Sequence, residues 1–198
     1  KNTHWMQLPK NTTKICAYAE SRGTIFPEIT YTRQFGIQGF LMDYLEGVVL
    51  EQWMIDEAAE ILGDVFDTHE YFNHKGWDTV LNKYEGCLPI KIFHVKEGVR
   101  MPHRNITCRV ESVDDADVTW VAPWVETILL RAKWYPTAVC TISSYINDIQ
   151  LKWNEICGAP YNPFFLNDFG ARGATSHESA SLAGTAHLVN SLGTDTIE

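Results

Sequence analysis

The chain has 198 residues, enough for one or two domains with a sizeable core, and a hydrophobic fraction of 45% with 12% aromatic residues excludes a disordered polymer. A formal charge of −9 argues against the broad basic surface that a nucleic-acid backbone demands, yet a few arginines can still serve one small anion. No apolar run approaches the ~20 residues of a membrane span, and the five cysteines (Cys16, Cys87, Cys108, Cys140, Cys157) are scattered without a C-x-x-C pair, as in the reduced core of a cytoplasmic protein.

Residues 1–8 are polar and end at Pro9, and strand character runs from Lys14 to Ala19, closing at Glu20-Ser21-Arg22-Gly23. Apolar positions then recur at helical spacing from Phe35 to Leu45, and again from Glu51 to Val65 through Trp53, Met54, Ala58, Ile61, Leu62 and Val65. A third, shorter helix is expected from about Gly76 to Tyr84. Asp64, Asp67, His69, Glu70 and His74 lie close together but match no metal-ligand spacing, so they read as a solvated loop. Alternation predicts strands at Pro89 to Val95 and Ile106 to Val110, and His94 and His103 read as structural. From Val118 the pattern is helical and strongly apolar, with Pro136 expected to break it into two helices joined at Tyr135.

Chemistry gathers in Leu166-Asn167-Asp168-Phe169-Gly170-Ala171-Arg172-Gly173, which sets an acid, a ring and a guanidinium between glycines. The apolar run Phe164-Phe165-Leu166 leads in as a strand. Thr175 is the expected N-cap of the next helix, with Glu178 completing a capping box. A turn-like Gly193-Thr194-Asp195-Thr196 follows. Strand, glycine-flanked turn, helix and strand make an α/β unit, whose ligands sit at strand C-termini and helix N-termini. There Phe169 offers a stacking face, Arg172 a planar cationic fork, and Asp195 an acceptor-only carboxylate; Asp168 reads as an internal organiser of the turn. Asp168-Phe169-Gly170 also occurs in kinases, but their glycine-rich loop and Val-Ala-Ile-Lys strand are absent, and His103-Arg104-Asn105 lacks the catalytic aspartate.

The ordered set Leu166-x-Asp168-Phe169-Gly170-x-Arg172-Gly173, Ser176-x-Glu178 and Ala186-His187-Leu188-Val189-Asn190-x-x-Gly193-Thr194-Asp195-Thr196 resembles the nicotinamide phosphoribosyltransferase family. Pro9-x-Asn11-Thr12, Gly76-Trp77, Leu88-Pro89-Ile90, Glu97-Gly98, Trp124-x-Glu126-Thr127-Ile128-Leu129 and Trp134-Tyr135-Pro136 extend the resemblance along the whole chain. It implies an α/β fold: an α+β region with an antiparallel sheet over 1–118, then over 119–198 the first helices and strands of a type II phosphoribosyltransferase barrel. Roughly 200 further residues would complete a barrel of ordinary size.

The implied activity joins nicotinamide to phosphoribosyl pyrophosphate, giving nicotinamide mononucleotide and pyrophosphate for NAD salvage. Mg2+ would arrive with the diphosphate, and ATP would act as an activator. Phe169 would stack on the base, with the ring's other face covered by a partner-subunit tyrosine from a segment ahead of Lys1, so the resemblance implies a homodimer with shared active sites. Arg172 would contact the base near the phosphate, and Arg22 would lie at the pyrophosphate end of the sugar-phosphate. Asp195 would accept from the nicotinamide amide and repel a nicotinate carboxylate. Ala171 departs from the tyrosine frequent in the family. Two alternatives remain: a nicotinate phosphoribosyltransferase, disfavoured by Asp195, and a catalytically inert segment acting only through protein contacts.

Overall fold

A computed structural model describes residues 2–194. In chain order, β1 (Cys16–Glu20) and β2 (Tyr31–Arg33) precede α1 (Ile37–Tyr44), α2 (Gln52–Phe66) and α3 (His74–Lys83). Three strands follow, β3 (Ile90–His94), β4 (Arg100–Pro102) and β5 (Ile106–Ser112), then the short α4 (Val121–Trp124) and the long α5 (Glu126–Cys157). The C-terminal run holds β6 (Asn167–Asp168), a 3₁₀ turn at Gly170–Gly173, α6 (His177–Leu188) and β7 (Gly193–Thr194). The fold class is mixed α/β, as expected.

Two compact units are present, each drawn from three stretches of chain. The first comprises Lys1–Ala19, Gly39–His94 and Cys108–Leu129; the second Glu20–Gln38, Val95–Thr107 and Leu130–Glu198. In the first, the sheet order is β1-β5-β3, with β3 and β5 antiparallel and Ile92 opposite Val110. Alternation places Cys108 and Val110 inward, where they join Ile55, Val80, Val118, Val121 and Val125 in the core. Trp77 meets Trp120 and Trp124 edge-on, with centroids 4.6 and 5.0 Å apart. Helical periodicity located α2, but its buried residues are Ile55, Ala59 and Gly63, while Trp53, Ile61 and Val65 are exposed. Small side chains at this spacing admit a close neighbour: the His69 ring packs directly over Gly63. Of the five cysteines, all free thiols, only Cys108 and Cys140 are buried, so the expected all-core placement is corrected for Cys16 and Cys157, which are exposed.

In the second unit β2 and β4 pair antiparallel, with Arg33 opposite Arg100. His103 Nε2 lies 2.9 Å from the Ile29 carbonyl and must donate to it, which leaves Nδ1 to accept from the Ser21 hydroxyl at 2.7 Å. Both nitrogens are engaged, and the residue is structural. The Glu97 carboxylate accepts from Gly36 N at 2.8 Å and Gln38 N at 2.9 Å, an anion seated on the first turn of α1.

Pro136 does not break its helix. It lies inside a continuous α5, fully buried. Proline withholds one backbone donor, but tertiary bonds hold this stretch in place. The Thr137 hydroxyl donates to the Phe35 carbonyl at 3.1 Å, and one turn on Thr141 Oγ1 accepts from Arg33 N at 2.9 Å. The interruption falls earlier, at Val125 between α4 and α5.

Candidate functional site

The β6 and β7 strands pair in parallel, Asn167 with Gly193 and Asp168 with Thr194. Glycine is required at 193 because an added Cβ would stand 2.7 Å from the Leu166 carbonyl and 2.8 Å from Asn167 Oδ1. The run leading in is not the expected strand: Phe164 and Phe165 form an exposed turn, and pairing begins only at Asn167. Three apolar residues beside Pro163 lack a buried face to alternate against, so their hydrophobicity does not make a strand.

Asp168 ends β6 and ties the turn together. Its Oδ1 accepts from Gly170 N at 2.8 Å and its Oδ2 from the Thr194 hydroxyl at 3.3 Å, which links the loop after β6 to the end of β7. Phe169 follows directly, with 55% of its surface exposed. Arg172, on the 3₁₀ turn, carries its guanidinium 6.0 Å from the Phe169 ring centroid. That is the outer edge of cation–π distance, so the ring face and the charge remain available together.

The N-cap of α6 is Ser176, one residue after the expected Thr175: its Oγ accepts from Ser179 N at 3.1 Å. Ser176 has the extended backbone a cap needs, and the third helical position is therefore Ser179, so the box expected with Glu178 is displaced. An open pocket of about 310 Å³ lies against this N-terminus, lined by small side chains including Ala171, Ala174, Ser176, Ala180 and Ser181. Amide donors at a helix start face such a hollow.

The structure thus brings Asp168, Phe169 and Arg172 together. Arg22 is exposed in the segment after β1, and among the described residues no hydrogen bond, ion pair or ring contact joins it to Phe169 or Arg172. Asp195 lies outside the described residues. Among those described, no group of three or more His, Cys, Asp or Glu residues is placed to hold a metal, and no helix is long and apolar enough to cross a membrane.

Sequence reasoning passed over a polar network between β2, β4 and α5. Tyr31 and Arg100 both bond to Ser144 and Asp148 on α5, with Arg100 Nη2 2.7 Å from each partner and its guanidinium 4.7 Å from the Tyr31 ring centroid. Arg33 Nη1 donates to Asn190 Oδ1 at 2.5 Å. The signal available was Asn190 itself, a polar residue directly after the apolar pair Leu188-Val189.

In fold, the chain is similar to a solved phosphoribosyltransferase. It superposes on the crystal structure of human nicotinic acid phosphoribosyltransferase with a TM-score of 0.57, at 18% identity, over 93% of this chain and 32% of that one. Residues 1–92 match the family model described as nicotinamide phosphoribosyltransferase, N-terminal domain. The whole chain is 39% identical, over 201 aligned residues, to a nicotinamide phosphoribosyltransferase of Xanthomonas campestris, covering 41% of that protein. It is 26% identical to a Mycoplasma pneumoniae protein of the same name, covering 47% of it. The resemblance carried by the motifs is borne out, and the chain spans less than half the length of these relatives.

Proposed function

We propose that this protein is a nicotinamide phosphoribosyltransferase serving pyridine nucleotide salvage. The observation that carries the reading is the exposed Phe169 ring with the Arg172 guanidinium beside it, at the C-terminal end of a parallel strand pair, within a chain similar over its full length to proteins of that name. A flat, neutral pyridine is well held by stacking, and Phe169 presents an unburied face. The ring nitrogen's lone pair forms the new bond to the anomeric carbon as the carbon–oxygen bond to pyrophosphate breaks, the leaving group taking the electron pair. Charge develops on the sugar and diphosphate, so positioning and electrostatics carry the catalysis. Arg172 supplies positive charge beside the base, and Arg22 is assigned to the diphosphate end. Mg2+ enters as part of the diphosphate substrate, and ATP is the proposed activator. Cytoplasmic placement belongs to the same reading, in keeping with five free thiols.

The direct test is product formation by the full-length protein supplied with phosphoribosyl pyrophosphate, Mg2+ and either base. Nicotinamide mononucleotide and pyrophosphate should appear; turnover of nicotinate alone would overturn the assignment. Phe169→Ala should weaken base binding by about 1–3 kcal/mol, the range found when a stacking residue is truncated. Its melting temperature should barely move, because a ring this exposed leaves no core cavity. A large fall in melting temperature with an unchanged KM for nicotinamide would mark Phe169 as packing only.

The protein should also be a homodimer. Phe169 offers one stacking face, its solvent side is open, and a two-fold dimer is the commonest oligomer. Sedimentation velocity at assay concentration should give the dimer mass, and a fully active monomer would count against shared sites.

A further inference from the structure

Asn190 occupies the turn between α6 and β7 and is 8% exposed. Both ends of its amide are engaged, in different directions. Oδ1 accepts from Arg33 Nη1 at 2.5 Å, while Nδ2 donates to the Cys140 carbonyl on α5 at 3.1 Å and lies 3.7 Å from Cys140 Sγ. Burial pushes the Cys140 thiol above its ordinary value, so that sulfur remains a neutral thiol beside the amide. Arg33 is itself fixed: Nε donates to the Gly98 carbonyl at 2.9 Å, and its backbone N–H to Thr141 Oγ1 at 2.9 Å. Two further bonds secure the same turn, from the Tyr161 hydroxyl to the Asn190 carbonyl at 3.4 Å and from Leu192 N to the Pro163 carbonyl at 2.8 Å.

We propose that the Arg33–Asn190 pair is a positioning clamp for the base site, an inference that rests on the function proposed above. Gly193 and Thr194 follow this turn at once and pair with Asn167 and Asp168, and Asp168 meets the Thr194 hydroxyl. The point at which the chain leaves α6 therefore fixes the strand register that carries Phe169 on one side. On the other side, the sequence continues into Asp195. A leucine at 190 would fill the space, but it would lack the directional bonds that pin one amide between β2 and α5. Buried directional bonds to both ends of one amide favour one geometry, and a site displaced by about 1 Å loses productive alignment. Neither residue touches the reacting atoms in this assignment; both act through the strand they hold.

The test uses the full-length protein with Asn190→Ala, Arg33→Met and the double variant, varying nicotinamide and phosphoribosyl pyrophosphate separately. Either single change should raise the KM for nicotinamide about tenfold and leave that for phosphoribosyl pyrophosphate within about twofold, a split that general loosening would not produce. The double variant should be no worse than the worse single, since each change opens the same clamp. Amide hydrogen exchange should show lost protection at 192–194 with β2–β4 protection kept in Asn190→Ala. Equal movement of both KM values, additive effects, or an unaltered nicotinamide KM would overturn the clamp. A wild type that turns over no nicotinamide would defeat the functional reading instead. In that case the exchange measurement still decides, because unchanged protection at 192–194 shows that Asn190 positions nothing.

Discussion

Replacing Asp195 by serine should shift base preference from nicotinamide toward nicotinate. Asp195 directly follows Thr194, the partner of Asp168 in the parallel pair. Nicotinamide presents an amide donor where nicotinate presents a carboxylate. An aspartate accepts from the first and repels the second, by up to about 4 kcal/mol at 4 Å with an effective dielectric near 20. Serine removes that repulsion, so nicotinate binding should improve while Arg172 stays cationic. For nicotinamide it exchanges a charged acceptor for a neutral one, a loss of about 1.5–3 kcal/mol when the bond is buried. The two changes act in opposite directions on the ratio of kcat/KM values, which makes the ratio the sensitive quantity. Both bases would be assayed on wild type and variant at fixed phosphoribosyl pyrophosphate. An unchanged ratio would make Asp195 an ordinary turn acid and remove the physical ground for choosing nicotinamide.

Gly36→Ala should be among the most destabilising single changes in the described structure. Gly36 has φ +98°, a region where a side chain strains the backbone by about 1–2 kcal/mol. An added Cβ would also run into the Pro136 ring, its Cγ first and its Cβ at 2.8 Å. That ring is buried inside α5 and has no rotamer to escape into, so overpacking adds about 1–3 kcal/mol. Together these reach about 2–5 kcal/mol, a large share of a domain's net stability. Gly39→Ala supplies the contrast: it lies within α1 with nothing near its Cβ position and should be neutral or slightly stabilising. Denaturant midpoints measure both. Equal midpoints for the two variants would show that the Gly36–Pro136 contact yields readily.

Local periodicity made much of the secondary structure legible. The helices α1, α2 and α3 and the strands β3 and β5 fall within about two residues of where apolar spacing puts them, because each pattern repeats within its own element. Strands β2 and β4 have three residues each, too few for alternation to register, and only their pairing defines them. Pro136 misled because the bonds that keep α5 continuous come from Arg33 and Phe35, about a hundred positions away. The Phe169–Arg172 part of the site was legible through motif order alone, since no periodicity marks it. The Arg33–Asn190 contact joins residues 157 positions apart, a distance at which neither spacing nor propensity carries any signal.

The segmental make-up of the two compact units has a kinetic consequence. Each is assembled from three separated stretches, so the chain passes from one to the other repeatedly before either is complete. The closing contacts, such as Trp124 with Asn2 and Asn190 with Arg33, span most of the polypeptide. Loop-closure entropy must be met before those contacts return anything, which slows folding and lengthens the life of partly assembled species. Synthesis order sharpens the effect, because the first unit waits for residues up to Leu129 and the second for the turn at Asn190. Through most of elongation the nascent chain therefore exposes apolar surface that its own later residues will cover, the condition under which partly folded chains aggregate.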